Sequence, residues 1–167
     1  MNQKITSHLW FDKEALEAAE FYTSIFESSK MKSKTTIYNT PSGDTDLVTV
    51  ELSGQEFTLI SAGPLFKFNP SVSFLVACKA KEEVDRLWSE LSAGGKALMD
   101  LGTYPFSERY GWIQDKYGLS WQVVANIMDD MMRDEDEKRK ARVTEAFLKM
   151  KKFDLKKLQQ AFDGSDG

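Results

Sequence analysis

The stretch ITSHLWFDKEALEAAEFYTSIF, residues 5–26, carries the reading of the fold. Ile5 to Phe11 is apolar and aromatic at strand length, after which Ala18, Phe21, Tyr22, Ile25 and Phe26 recur at the three-and-four spacing of a helix face. Asp12, between the two, is the N-cap candidate, because a carboxylate there accepts from the free N–H groups of the first turn. Glu14 adds negative charge at the positive end of the helix dipole. Three strand-like runs follow, Lys34 to Tyr38, Leu47 to Leu52 and Phe57 to Ser61. Pro41-Ser42-Gly43-Asp44 separates the first two, and Ser53-Gly54 is short enough to close a hairpin.

The same order returns in SVSFLVACKAKEEVDRLWSELSAGG, residues 71–95. Val72 to Cys78 reads as a strand, Val84, Leu87, Trp88 and Leu91 as a helix face, and Gly94-Gly95 as a helix stop that needs positive φ angles. Further strands are expected near Lys96 to Leu101, Tyr110 to Gln114 and Ser120 to Val124, with turns around Pro105 and at Tyr117-Gly118. A shift of 66 residues lays Ile5 on Ser71, Ala18 on Val84, Tyr22 on Trp88 and Ile25 on Leu91. A strand, a helix and three strands made twice is an architectural repeat. The expected fold is therefore α+β: two βαβββ modules, about residues 1–64 and 70–126, within one domain of residues 1–126.

Residues 127–167 form an expected helical tail. From Asp129 on there are 10 acidic and 10 basic residues, so the net charge of −4 sits on the preceding domain. Val143, Ala146, Phe147 and Met150 make one apolar stripe, and Leu155, Leu158 and Phe162 a second that Asp154 is placed to cap. Helices this short are marginal alone, so the stripes are expected to lie against the domain or a second subunit of a homodimer, with the end from Asp163 frayed.

With 167 residues, 41% hydrophobic and 12% aromatic, the chain is long and apolar enough for a packed core. A net charge of −4 gives no field toward nucleic acid or anionic lipid. The longest apolar runs fall short of the roughly 18 residues that span a bilayer, and MNQKITSHLW has no apolar signal core. The lone Cys78 cannot form an intramolecular disulfide, which fits a reducing compartment. These readings give a cytoplasmic protein without nucleic-acid or membrane partners.

LWFDKEALEAAEFYTSIF, GQEFTLISAGPLFKFNPSVSF, EEVDRLWSELSAGG and above all GWIQDKYGLSWQVV resemble the PhnB-like branch of the vicinal oxygen chelate (glyoxalase/bleomycin resistance/dioxygenase) superfamily. That branch is often labelled 3-demethylubiquinone-9 3-methyltransferase. Its members also carry a charged tail similar to EAFLKMKKFDLKKLQQAF. The resemblance implies curved sheets enclosing an open cup, usually in a homodimer. Many relatives have Cys-Gly-Trp at Tyr110-Gly111-Trp112, and Asn-Gly-Gly-Pro-His at Ser61 to Leu65. A methyltransferase cofactor is commonly held by a glycine-rich turn between a parallel strand and a helix, whereas Gly94-Gly95 here follows a helix.

The resemblance implies metal ligands from the first and last strands of each module, usually imidazole and carboxylate respectively. This chain offers His8, its only histidine, on the first strand, Glu56 or Thr58 on the fourth, and Gln122 on the last. The helix-preceding strand of the second module offers no imidazole or carboxylate. A divalent metal is disfavoured as cofactor, since one histidine, one carboxylate and a neutral amide bind a dication poorly. Function is therefore expected to be capture of a small organic ligand, aromatic or oxygen-rich, in the cup, with His8, Gln122 and Thr58 as polar contacts and Trp10, Trp112 and Trp121 as flat walls. An enzymatic alternative makes His8 the base or ligand and Glu56 its carboxylate partner; a third reading is sequestration of a drug or metabolite. Asp115 and Lys116 are expected as a surface ion pair, and Cys78 as a small buried apolar residue.

Overall fold

The computed structural model describes residues 4–125, 131–150 and 154–165, the Leu155 side chain excepted. The first module runs β1 (Ser7–Phe11), α1 (Ala15–Ile25), β2 (Lys30–Thr40), β3 (Gly43–Leu52) and β4 (Gln55–Ser61). The second runs β5 (Ser73–Cys78), α2 (Lys81–Ser92), β6 (Lys96–Tyr104), β7 (Ser107–Gln114) and β8 (Ser120–Ala125). Both are βαβββ, as the repeat required. The 66-residue shift carries the first residues of β1, α1 and β2 (Ser7, Ala15, Lys30) onto those of β5, α2 and β6 (Ser73, Lys81, Lys96).

Sheet order is also duplicated: β1-β4-β3-β2 in one and β5-β8-β7-β6 in the other. In each, the strand before the helix pairs parallel with the last strand, His8 opposite Thr58 in one and Leu75 opposite Gln122 in the other. The remaining pairs are antiparallel. Ser53-Gly54 closes β3 to β4 with φ values of 47° and 84°, the left-handed pair that a two-residue hairpin of matching twist demands.

Each helix covers one face of its own sheet, and strand alternation decides which residues lie beneath it. Under α1 lie Leu9 and Phe11 of β1, Val48, Val50 and Leu52 of β3, and Phe57 and Leu59 of β4, all buried with Ala15, Ala18, Ala19 and Tyr22 of the helix. Under α2, Val84, Leu87 and Leu91 are buried with Cys78, Ile113, Trp121 and Val123. Each fully buried aliphatic side chain here contributes about 1.5–3 kcal/mol. By mutual contacts the chain divides into two compact units, one with residues up to Ser71 and Tyr117–Leu119, the other with Val72–Lys116 and residues from Ser120 on. Within the first, the Tyr117 ring stands edge-on to Phe11 and Tyr22, and its hydroxyl donates to Glu17 at 2.6 Å.

Several local expectations need correction. Asp12 does not cap α1: the N-cap residue is Glu14, without a side-chain cap, and the Ala15 N–H donates instead to Ser61 Oγ at 3.0 Å. A partner supplied by β4 replaces the local carboxylate. Of the glycine pair only Gly94 has a positive φ, 73°. Gly95 is small for a different reason, since a Cβ there would lie 2.4 Å from the Gln114 carbonyl oxygen. Asp115 is not at the surface; it is 4% exposed and accepts from the Trp121 indole N–H at 2.9 Å.

The tail forms α3 (Glu137–Leu148) and α4 (Leu155–Asp163). Its stripes meet each other: Met131, Val143 and Leu158 make a buried cluster flanked by Ala146, Phe147, Met150 and Phe162. Leu155, placed in the second stripe by its spacing, has a side chain outside the described residues. Asp154 caps α4 as expected, accepting from the Lys157 N–H, and Asp136 does the same for α3. Asp163 to Ser165 are held, the Ser165 N–H donating to the Gln160 carbonyl at 3.1 Å, while Asp166 and Gly167 of the expected frayed end lie outside the described residues. Gly164 takes the left-handed φ of 74°, and Arg142 donates to the last carbonyls, Ala161 O at 2.8 Å and Phe162 O at 2.9 Å.

Candidate functional site

The face of each sheet turned away from its helix carries the residues singled out above except Trp121, and each face follows from its own register. In the first module, β1 pairs with β4, β4 with β3 and β3 with β2, which sets His8, Thr58, Thr49 and Ser33 in one row across four strands. The neighbouring row is Trp10, Ile60, Leu47 and Thr35. On the other side stand Glu56, Glu51 and Lys30. Three of the expected residues, His8, Thr58 and Glu56, therefore share one face with Trp10.

Two of these side chains are already engaged. A bulge between Met31 and Ser33 turns Lys32 toward Glu56, giving an ammonium–carboxylate bond of 2.5 Å. That hydrogen bond, reinforced by the carboxylate charge, holds the Lys32 pKa above its ordinary value. Beside it Lys30 pairs with Glu51 at 3.5 Å. Glu56 is thus joined to a cation of β2, whereas the sequence reading paired it with His8. The Trp10 indole N–H donates to the Gly63 carbonyl at 2.8 Å, and its ring meets Phe66 edge-on at 5.0 Å. Trp10 consequently anchors the segment after β4 as well as lining the face.

In the second module Leu75, Gln122, Trp112 and Met99 form one row, and Ala77, Val124, Tyr110 and Gly102 the next. The Tyr110 hydroxyl donates to Gln122 Oε1 at 2.6 Å, and Gln122 Nε2 donates to Ser73 Oγ at 2.7 Å. The Trp112 indole N–H donates to Ser120 Oγ at 2.6 Å. Tyr110 lies among Tyr104 and Phe106, with ring centroids at 5.4 and 4.9 Å. Burial, and next the neighbouring Tyr104, raises its pKa. Gln122 and Trp112 take their expected face, but Trp121 does not. The odd–even alternation of β8 sends it to the helix side, 2% exposed and bonded to Asp115, so it is core and not a wall.

Sequence reasoning missed Ser73 and Tyr110. The signal was present in the spacing: Tyr110 and Trp112 alternate, as do Ser120 and Gln122, and antiparallel pairing of those two runs brings all four to one face. Cys78 behaves as expected, 1% exposed, with burial pushing its thiol up to about 12.

The donor chemistry does not fit a catalytic divalent metal. At the four strand positions stand one imidazole (His8), a carboxylate paired with Lys32 (Glu56), an aliphatic side chain (Leu75) and a neutral amide engaged by Tyr110 and Ser73 (Gln122). Among the described residues no group of three His, Cys, Asp or Glu side chains is assembled. A hollow of about 570 Å³ on the outer side of α3, lined by Met132, Ala141, Thr144 and Leu148 among others, includes none of the expected site residues. No described helix is long and apolar enough to cross a membrane.

The comparisons with known proteins agree with this fold. The family model of 3-demethylubiquinone-9 3-methyltransferase matches residues 3–124. A PhnB protein of Bacillus cereus bearing that family name is 42% identical, with a TM-score of 0.69, covering 74% of this chain and 99% of that one. A protein of Pseudomonas aeruginosa superposes at TM-score 0.65 with 19% identity, over 74% of this chain and 98% of that one. A glyoxalase-family protein of Bacillus cereus does so at 0.52 with 12% identity, over 75% and 94% respectively. No curated protein matches. Duplicated βαβββ topology, the matched span and the 42% identity together place this chain in the PhnB-like 3-demethylubiquinone-9 3-methyltransferase family, with a glyoxalase-like fold.

Proposed function

We propose that the chain binds a small organic ligand on the open faces of its sheets without a metal ion. The carrying observation is that the second module's open face pairs an ordered amide, Gln122, with the broad ring of Trp112. A few fixed polar groups among apolar and aromatic surface is the composition of small-molecule sites. On the first module His8 and Thr58 supply polar contacts and Trp10 a wall. Sequestration fits these residues better than a metal-dependent reaction, since the metal positions carry the wrong donors. Should the ligand be turned over, His8 is the residue for the proton transfer, with Glu56, paired with Lys32, as the carboxylate on the same face.

The reading includes a homodimer in a reducing compartment. Leu65 and Phe66, 73% and 59% exposed, support association, and the buried thiol of Cys78 supports the compartment. Sedimentation at micromolar concentration tests the dimer; a monomer there refutes it. A thermal-shift screen of metabolites, run with and without added zinc, nickel, iron and manganese, tests the ligand. Stabilisation by an organic compound alone, reduced by substitution of Trp112 or His8, is the expected result. A screen in which only metals stabilise would overturn the reading.

A further inference from the structure

The two rows at the centre of the second module's open face, Leu75–Gln122–Trp112–Met99 and Ala77–Val124–Tyr110–Gly102, contain no carboxylate, ammonium or imidazole. Tyr110 is the one titratable group in them, and a phenol, ordinarily titrating near 10 and here raised by burial, is neutral at physiological pH. A charged ligand laid there would give up part of its hydration with no counter-ion in these two rows, which disfavours it against a neutral one.

The hydrogen bonds of this face have a direction. Tyr110 gives its hydroxyl hydrogen to Gln122 Oε1, and Gln122 gives an amide hydrogen to Ser73 Oγ. The Ser73 oxygen accepts from the amide, so its own hydrogen is left to donate out of the chain of bonds. Reversing the amide would move that outward donor to Tyr110 without abolishing it. Beside it, the indole of Trp112 is pinned through its N–H to Ser120, which fixes the ring as a rigid stacking surface one strand away from Gln122.

We infer that the second module's open face recognises an uncharged aromatic compound bearing a hydrogen-bond-accepting oxygen, the ring lying on Trp112 and the oxygen accepting from Ser73. This rests on the ligand-binding reading above and narrows it to one face, one donor and one charge class. The preference is opposite to that of a dication site, which selects anionic oxygen pairs. Gln122 is a positioning residue here: it holds the hydroxyl and need not touch the ligand.

Calorimetric titration of the full chain with three probes of one ring system tests the inference: 1-acetonaphthone, naphthalene and 1-naphthoate. The ketone should bind roughly tenfold more tightly than naphthalene, the worth of one neutral hydrogen bond, and the carboxylate most weakly. Ser73→Ala should abolish the ketone's advantage and leave naphthalene unchanged, while Ser73→Thr, which keeps a hydroxyl, should retain it. Melting curves of each variant show that it is folded. Preference for 1-naphthoate, lost in His8→Ala or Lys32→Ala, would overturn this inference while leaving a ligand site on the first module. Absence of binding by all three probes would overturn it as well, and the metabolite screen then decides the wider reading separately.

Discussion

The two modules share one topology and one strand order, yet their open faces have opposite chemistry. The first carries His8 and two cross-strand ion pairs, Lys32–Glu56 and Lys30–Glu51. The second carries a neutral chain of bonds from Tyr110 through Gln122 to Ser73, set among Trp112, Leu75 and Val124. What is duplicated is the helix-covered side, where Ala18, Tyr22 and Ile25 correspond to Val84, Trp88 and Leu91. Burial constrains that side to apolar residues of compatible volume, whereas the other side was left to diverge. Fold and site are therefore separable within each sheet, and substitutions on the two sides should behave differently.

The largest effect should come from the helix side of the second module. A Cβ on Gly111 would sit 2.2 Å from the Trp88 ring, so Gly111→Ala should cost about 1–3 kcal/mol in a thermal or denaturant melt. Trimming the obstacle with Trp88→Leu should recover part of that loss in the double variant. In the first module Gly43, with φ of 92° and open space around it, should cost only about 1 kcal/mol on change to Ala. Equal losses at the two positions would break the distinction between packing and backbone constraint.

Next come the open faces. Gln122→Leu keeps the volume but removes the partner that Tyr110 and Ser73 share, and should cost about 1–3 kcal/mol in the same melts. Thr58→Val at the corresponding strand position of the first module should cost less than Gln122→Leu. The comparison fails if the order is reversed.

Alkaline pH separates the faces by a smaller amount. The Tyr110 pKa is raised in the folded chain, so the folded state holds its proton where the unfolded chain has begun to lose it. Stability from this group is intact below the ordinary tyrosine range near 10, and falls as pH climbs from there through the folded value. Tyr110→Phe should flatten that fall in pH-dependent melts. An unchanged slope would mean that Tyr110 is not held neutral by its surroundings.

The smallest effect is expected at Lys32–Glu56. Both partners are substantially exposed, so Lys32→Met should leave the melting temperature within experimental error. A large drop would show that the ionic face is a structural element like the helix side.

Much of this fold was legible because apolar period and turn residues are local: Ala18, Tyr22 and Ile25 announce α1, and Ser53-Gly54 the hairpin. What was not legible depended on partners far along the chain. Ser61 caps α1 from 46 residues away in place of Asp12, and Asp115 is buried because Trp121 donates to it. Face assignment divided the tryptophans. Trp112 and Trp121 lie in adjoining strands, and only the pairing Trp112 with Gln122 and Ile113 with Trp121 shows that they point to opposite sides. The open-face positions of His8, Thr58 and Gln122 follow from strand position alone, but Ser73 and Tyr110, which orient the amide, needed the register.

Elemental analysis of the full chain purified without chelator, combined with melts before and after EDTA, tests the central claim most directly. The account predicts substoichiometric zinc, nickel, iron and manganese and the same melting temperature with and without chelator, because Gln122 is held by Tyr110 and Ser73 and Glu56 by Lys32. One equivalent of a divalent metal, removed by EDTA with a fall in melting temperature and absent from His8→Ala, would contradict it.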